Sequence, residues 1–490
     1  MAATISFLSS PANVTAINTK AWTRRLKPST LLFSKTTRRR RSFITSLNKE
    51  EENKKVERLW KWGCEKGGAV APAVRAEMVE TPHFGLGLVA KRSLSQNQVV
   101  LEVPKKLWIN SDTVAASEIG RVCGGLKPWI SVALFIITEE KKKNGSPWCP
   151  YLDILPQKLD SPLYWSEEEL TEIQGTQLLS TTLGVKEYVQ SEFSKVEEEI
   201  ILPNKHLFPS MTVDDFLWAF GILRSRAFSQ LRGKDLVLVP LADLINHSCN
   251  VNTEDVAWQI KGSGLFSREL VFSLRTPLPV NAGEQVFIQY DLKKSNAELA
   301  LDYGFIEPNL GRDAYSLTLE IPESDPFFGD KLDIAESNGF GETAYFNLLL
   351  DCGLPEGMLP YLRLAALGGT DAFLLESIFR NTVWGHLELP VSQPNEEFIC
   401  KAVADACRSA LSLYRTTIEE DEELLKKGKL ELRLEIAVGV RLGEKKVLNQ
   451  ILKTFEDRGK EVEGLEYYQE RRLKDLGLVG EQGEIIFWES

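Results

Sequence analysis

Asp243-Leu244-Ile245-Asn246-His247-Ser248-Cys249 is the stretch on which the fold turns. An apolar run rich in Leu, Val and Ile ends here in Asn246-His247, so a strand presents two polar side chains at the rim of a core. Buried amides and imidazoles need partners, so this pair either ties a loop together or grips a polar ligand. Downstream stand Gln289-Tyr290-Asp291 and Asp302-Tyr303-Gly304-Phe305; upstream stands Phe84-Gly85-Leu86-Gly87-Leu88. Glycines there let the main chain come close to a ligand and offer it N–H and C=O groups. The turn lacks the third glycine and following helix of a dinucleotide fingerprint, so a Rossmann cofactor is not expected. His247 has no neighbouring His or Cys-x-x-Cys partner, so no metal site is expected. Cys249 stands too close to His247 for a protease dyad with its own oxyanion turn.

At 490 residues the chain exceeds one ordinary core, and two or three domains are expected. Residues 1–49 contain no Asp or Glu but ten Lys or Arg, including Arg38 to Arg41, and are rich in Ser and Thr. That is the composition of an organellar transit peptide, with the hydroxyl content pointing to the chloroplast. The remainder holds 48 basic against 69 acidic residues. A body that acidic repels phosphate backbones, which argues against a nucleic-acid partner. The longest apolar run, Trp129 to Ile137, is too short to cross a bilayer, so no membrane insertion is expected. Seven scattered cysteines without Cys-x-x-Cys spacing fit free thiols in a reduced compartment.

Alternation around turn residues predicts strands at Gly85 to Ala90, Val99 to Val103 and Leu107 to Ile109. From Ser111 to Pro209 the pattern is helical, with starts at Trp129, Ser166 and Lys186. Met211 to Phe228 reads as the clearest helix: Thr212 with Asp215 makes a capping pair, and Phe216, Phe220, Leu223 and Ala227 form a stripe. Arg226 and Gln230, four apart, would point the same way from its edge. Strands resume at Leu236 to Pro240, Leu270 to Leu274 and Gln285 to Tyr290. Beyond residue 310, Asp371 to Arg380, Asn395 to Tyr414 and Glu435 to Arg458 read as amphipathic helices, with Gly428 closing a charged turn.

Asn246-His247-Ser248-Cys249 resembles the asparagine–histidine motif of SET-domain protein lysine methyltransferases, and Phe84 to Leu88 is similar to their cofactor turn. Leu86 to Ala90, Cys123 to Trp129, Phe216 to Leu223, Asn296 to Phe305 and Tyr467 to Arg472 resemble the plant Rubisco large-subunit lysine methyltransferases. The resemblance implies an α+β fold: a strand-rich SET domain split by a helical insert, followed by an all-helical C-terminal substrate-binding domain. Its expected divisions are a transit peptide (1–49), the first SET part (50–110), the insert (111–210), the second SET part (211–309) and the helical domain (310–490). It also implies a chloroplast stromal enzyme that methylates lysine from S-adenosylmethionine, acting on the Rubisco large subunit near its N-terminus, on chloroplast fructose-bisphosphate aldolases, or on both. The alternatives are the same fold acting on another protein lysine or a histidine, or a non-catalytic binding module.

By the same resemblance, the main chain around Phe84, Gly85 and Leu86 would hold the cofactor's amino-acid part, although relatives can carry an acid where Phe84 stands. Asn246, His247 and Phe305 would seat the cofactor, and Trp258 would give a ring where relatives usually have Tyr. Arg226 would touch both cofactor and substrate; Gln230, Asp243 and Tyr303 would line the lysine channel. Tyr290 would be the catalytic tyrosine. Aromatic faces attract a sulfonium, and a greasy channel favours the neutral amine that methyl transfer requires.

Overall fold

The computed structural model describes residues 6–8, 51–79, 85–231, 235–251, 257–264, 267–307, 311–376, 378–379 and 382–478. Phe84 and nearly all of 1–49 lie outside them, apart from Ser6–Leu8, which adds antiparallel to the strand Ala314–Glu320. The strand-rich part is built from small sheets. Val74–Met78 pairs antiparallel with Leu86–Ala90, and Ser267–Arg275 lies between Val99–Pro104 and Trp258–Gly264. Asn246–His247 pairs in parallel with Phe287–Ile288, so Asn246 stands opposite Phe287 and His247 opposite Ile288. A parallel pair cannot be closed by a tight turn. Here the strands Trp258–Gly264 and Ser267–Arg275 occupy the connection.

In the insert, after the short helices Ser111–Ala115 and Gly120–Cys123, comes Pro128–Lys142, which has proline in its first turn and is buried from Ile130 to Glu139. Ser166 and Glu169 form a capping box, and Gln177–Val196 makes one long helix where a start at Lys186 is expected from the pattern. Thr212 and Asp215 cap the helix Val213–Arg226 as read from the sequence. It stops two residues short of the expected Phe228, because Ala227 turns extended (φ −80°, ψ 139°) and Phe228–Leu231 pairs with Asp235–Val237. Gln230 therefore stands on a strand, and the helical alignment expected between it and Arg226 does not hold.

The C-terminal part is helical with one exception. Ala314–Glu320 and Thr343–Leu349 pair antiparallel across the helix Phe328–Ser337 that connects them, so "all-helical" needs that correction. Thr343–Leu349 alternates buried and exposed residues over a seven-residue span, too short a period-two signal to stand out beside its helical surroundings. Asp371 to Arg380, expected as an amphipathic helix, is a 3-10 turn at Gly369–Leu375. Gln393–Leu411 and Leu432–Glu461 match their expected positions closely, and Gly428, at φ 62°, ends the helix Ile418–Lys427.

Two hydrophobic cores result, and Leu432–Glu461 belongs to both. Ile436, Ala437 and Val440 pack into the strand-rich core, while Val447, Leu448, Ile451 and Phe455 pack into the C-terminal one. Polar ties reinforce the joint. Arg433 donates to Glu169 at 2.9 Å and to the Leu159 carbonyl at 3.0 Å. Gln177 pairs its amide with the main chain of Ser316 at 2.7 and 2.9 Å, as a neighbouring strand would. Glu444, buried on the long helix, accepts from the Gln177 N–H at 3.0 Å and the Tyr414 hydroxyl at 2.6 Å.

Burial pushes the Glu444 carboxyl up to about 7, against these hydrogen bonds, which pull it down. A folded value above the unfolded one gives a stabilising contribution that is complete below the free glutamate value and is lost as pH rises through about 7. Between the free glutamate value and about 7, each pH unit costs about 1.4 kcal/mol from this group, and above that the loss is complete. Thermal melts of the wild type should therefore show a Tm that falls between about pH 5 and pH 7 and levels off above, and Glu444→Gln should flatten that slope. Parallel slopes in the two proteins would remove Glu444 as its source.

Candidate active site

A cavity of about 720 Å³ opens between the strand-rich core, the insert and the long C-terminal helix. Leu86, Arg226, Asp243, Asn246, His247, Tyr290, Tyr303 and Phe305 all line it. Its mouth is lined by Pro156, Lys158, Leu159 and Asp160 of the insert and by Leu432 and Glu435 of the long helix, all at least partly exposed. Trp258 is not among its lining residues: it stacks on Phe272 at 5.5 Å and meets Phe228 edge-on at 5.9 Å. Gly85 immediately precedes Leu86.

The polar rim of the strand is fully used. Asn246 donates to the Gln285 side chain at 3.0 Å and to the Leu86 carbonyl at 3.3 Å, tying the strand to the glycine turn. His247 accepts the main-chain N–H of Tyr290 on Nδ1 at 3.1 Å. An Nδ1 that accepts carries no proton, so the proton of the neutral ring sits on Nε2, which meets the Glu307 carboxylate. Burial holds the His247 pKa below its ordinary value against the opposing pull of Glu307.

Tyr290 is fixed twice, by that N–H and by its hydroxyl, which donates to the Ile245 carbonyl at 2.8 Å. Burial pushes its phenol up to about 12, so it remains protonated at neutral pH. Tyr303 ends the helix Asn296–Tyr303, and Gly304 caps it at φ 76°. A β-carbon on Gly304 would stand 2.8 Å from the Asp160 carbonyl carbon, so only glycine lets the chain turn there against the insert. That turn sets Tyr303 and Phe305 on the same wall. Ring centroids are 4.9 Å apart for Tyr290–Tyr303, 5.8 Å for Tyr303–Phe305 and 5.1 Å for the stacked His247–Phe305 pair.

Arg226, at the helix end, donates to the Asp243 carbonyl at 3.0 Å and lies 3.4 Å from its carboxylate. The buried Tyr151 hydroxyl donates to the same carboxylate at 2.8 Å. Burial raises the Asp243 pKa, with Arg226 and Tyr151 opposing, and Asp243 Oδ1 has no hydrogen-bond partner among the described residues. Sequence reasoning missed Tyr151, Gln285 and Glu307. Each is distant in sequence from the motifs or lies outside them, and carries no spacing signal of its own.

The two glycines of the turn serve different ends. Gly85 adopts φ 62°, with no described heavy atom within 4 Å of where a β-carbon would stand, which leaves its main chain open to a ligand. At Gly87 a β-carbon would lie 2.5 Å from Gln285 Oε1 and 2.8 Å from Asn246 Nδ2. Gly87→Ala must push Asn246 off its place, and should weaken S-adenosylmethionine binding at least about tenfold in calorimetric titration, a loss of roughly 1.4 kcal/mol. Unaltered affinity would show that Asn246 does not shape the pocket.

The SET domain family matches residues 85–291, and the Rubisco LSMT substrate-binding family matches residues 322–448. The chain is 66% identical over 446 residues to the chloroplastic [fructose-bisphosphate aldolase]-lysine N-methyltransferase of Arabidopsis thaliana, covering 91% of this chain and 92% of that one. It is 65% identical over 436 residues to the chloroplastic ribulose-1,5 bisphosphate carboxylase/oxygenase large subunit N-methyltransferase of Nicotiana tabacum, covering 89% and 88%. The crystal structure of the SET domain of LSMT bound to MeLysine and AdoHcy superposes with a TM-score of 0.81 at 63% identity, over 88% of this chain and 97% of that one. The chain belongs to the family of Rubisco LSMT-type SET-domain lysine N-methyltransferases.

Proposed function

We propose that this chain transfers methyl groups from S-adenosylmethionine to lysine ε-amines of chloroplast stromal proteins: the Rubisco large subunit near its N-terminus, chloroplast fructose-bisphosphate aldolases, or both. The observation that carries the reading is the doubly anchored Tyr290 in the wall of an aromatic cavity whose floor is Asn246-His247. The names of the Arabidopsis thaliana and Nicotiana tabacum relatives, both chloroplastic, support the substrates and the compartment. The acid-free, arginine-rich 1–49 segment supports a transit peptide.

The residues present suit the cofactor. Gly85 offers open main chain, Asn246 and His247 close the pocket beside Leu86, and the Tyr290, Tyr303 and Phe305 rings give a cation-attracting wall. When bound, S-adenosylmethionine supplies an electrophilic methyl group on a sulfonium. The protein must then deliver an uncharged amine. A free lysine titrates near 10.4, so at about pH 8 roughly one in 250 is neutral. Loss of water among Tyr290, Tyr303 and Phe305 shifts that balance toward the amine. Tyr290 does not take the proton, because its phenol titrates only at about 12. Its hydroxyl hydrogen is committed to Ile245, so its oxygen acts as an acceptor that orients the incoming amine. Arg226 and Asp243 neutralise one another at the cavity wall.

Tyr290→Phe keeps the ring and loses the oxygen. Turnover should fall about a hundredfold while cofactor affinity stays within roughly threefold, because the lost contact acts on the reacting amine. Wild-type turnover in that variant would take Tyr290 out of the chemistry. For the substrates, intact-mass measurement of the Rubisco large subunit and of the aldolase after incubation with enzyme and cofactor should show 14-Da increments, the mass of roughly one added CH₂ each, on at least one of them. No increment on either protein would defeat the substrate assignment.

A further inference from the structure

His247 lies in a buried polar chain that starts at the cavity wall and continues through Glu307 to Arg312. Its Nε2 meets Glu307, and the other oxygen of Glu307 is ion-paired with Arg312. Arg312 in turn donates to the Lys294 carbonyl at 2.7 Å. Asn296 clamps Glu307 from both sides: its Oδ1 accepts the Glu307 N–H at 2.8 Å, and its Nδ2 donates to the Glu307 carbonyl at 3.2 Å. The Asn296 N–H is itself held by the Arg312 carbonyl at 2.9 Å. His247, Asn296, Glu307 and Arg312 are each less than a tenth exposed. Asn296 pins the Glu307 main chain and Arg312 holds its buried carboxylate by an ion pair, so the imidazole must conform to the carboxylate.

We propose that Glu307, held by Arg312 and Asn296, is a positioning residue that locks the His247 ring in its Nε2–H tautomer and thereby fixes the main chain at Tyr290. The argument is one of donors and acceptors. With the proton on Nε2, the ring donates to a carboxylate and accepts the Tyr290 N–H. With the proton on Nδ1, two donors would face each other at Tyr290 and a lone pair would face a carboxylate, so both contacts fail together. Glu307 thus acts on the amine's oxygen partner through two links: ring to N–H, and N–H to the anchored Tyr290 phenol. Arg312 is required because an unpaired carboxylate beside an imidazole would draw a second proton onto the ring, and that proton would also displace Tyr290. This inference rests on the proposed methyl transfer only for its kinetic consequence; the tautomer lock itself does not.

The test uses the full chain labelled with ¹⁵N-histidine. The four histidines allow His247 to be assigned by substitution of the other three in turn. At about pH 8 the wild-type His247 should show the neutral Nε2–H pattern. In Glu307→Leu it should show mixed tautomers, with kcat down about tenfold to a hundredfold and KM changed less than kcat. Glu307→Gln keeps an acceptor for Nε2–H and should recover the single tautomer and part of the lost kcat. A wild-type Nδ1–H or imidazolium pattern overturns the proposal, and this holds even if Glu307→Leu yields no folded protein. A wild-type tautomer together with wild-type kcat in Glu307→Leu overturns it as well. If the enzyme transfers no methyl group at all, the spectra still decide the lock, so failure of the proposed function reads differently from failure of this inference.

Discussion

The site depends on a parallel pairing only two residues long, Asn246–His247 against Phe287–Ile288. A ladder that short cannot hold two distant segments by its own hydrogen bonds, since closing the long connection between them costs several times RT. Side chains and flanking main chain extend it. The Ser248 N–H reaches the Ile288 carbonyl at 3.0 Å, the Tyr290 N–H reaches His247, and the Tyr290 hydroxyl reaches back to Ile245. Both tyrosine contacts cross between the same two segments. The groups that fix Tyr290 for chemistry are therefore the groups that hold the pairing together, and a change that loosens one loosens the other.

The mouth of the cavity has a separate origin. Its lip comes from Pro156 to Asp160 of the insert and from the first turns of Leu432–Glu461, elements that belong to different parts of the sequence. They are held in place by the two cores that share the long helix, and locally by Arg433 bridging Glu169, Asp160 and the Leu159 carbonyl. The inner wall, where bond making would occur, is thus framed by strands, while the lip that would meet a protein is framed by helices.

Much of this was readable from residue order. The capping pair at Thr212 and the glycine turn follow from patterns local to each segment, and the grouping of Arg226, Asn246, His247, Tyr290, Tyr303 and Phe305 around one cavity is what the family resemblance of their motifs implied. Three features were not readable. The helix end at Arg226 is set by the pairing of Phe228–Leu231 with Asp235–Val237, a contact that periodicity does not encode, and it moves Gln230 off the helical face. Trp258 packs on Phe228 and Phe272, because a large ring on this edge strand is taken up by its nearest ring neighbours. Leu241 takes φ 72°, a conformation that costs a leucine about 1–3 kcal/mol, just ahead of the turn that carries Asp243. Nothing in Pro240-Leu241-Ala242 announces that strain; buried surroundings impose it.

The charge pattern of the inner wall explains why it can favour a neutral amine. A free carboxylate beside the amine would stabilise the ammonium ion and oppose reaction. Two carboxylates border this part of the cavity, Asp243 and Glu307, and each is matched by a guanidinium, Arg226 and Arg312. Tyr151 takes a further share of the Asp243 charge. What the amine would meet is then a ring face, a phenol oxygen and carbonyl dipoles: groups that direct an N–H without holding an extra proton. The chain as a whole is acidic, with 69 Asp and Glu against 58 Lys and Arg, which favours approach of cationic protein segments over long range. Attraction of the charged form outside and disfavour of it inside are opposite demands, and the arginine pairing of the wall carboxylates allows one protein to meet both.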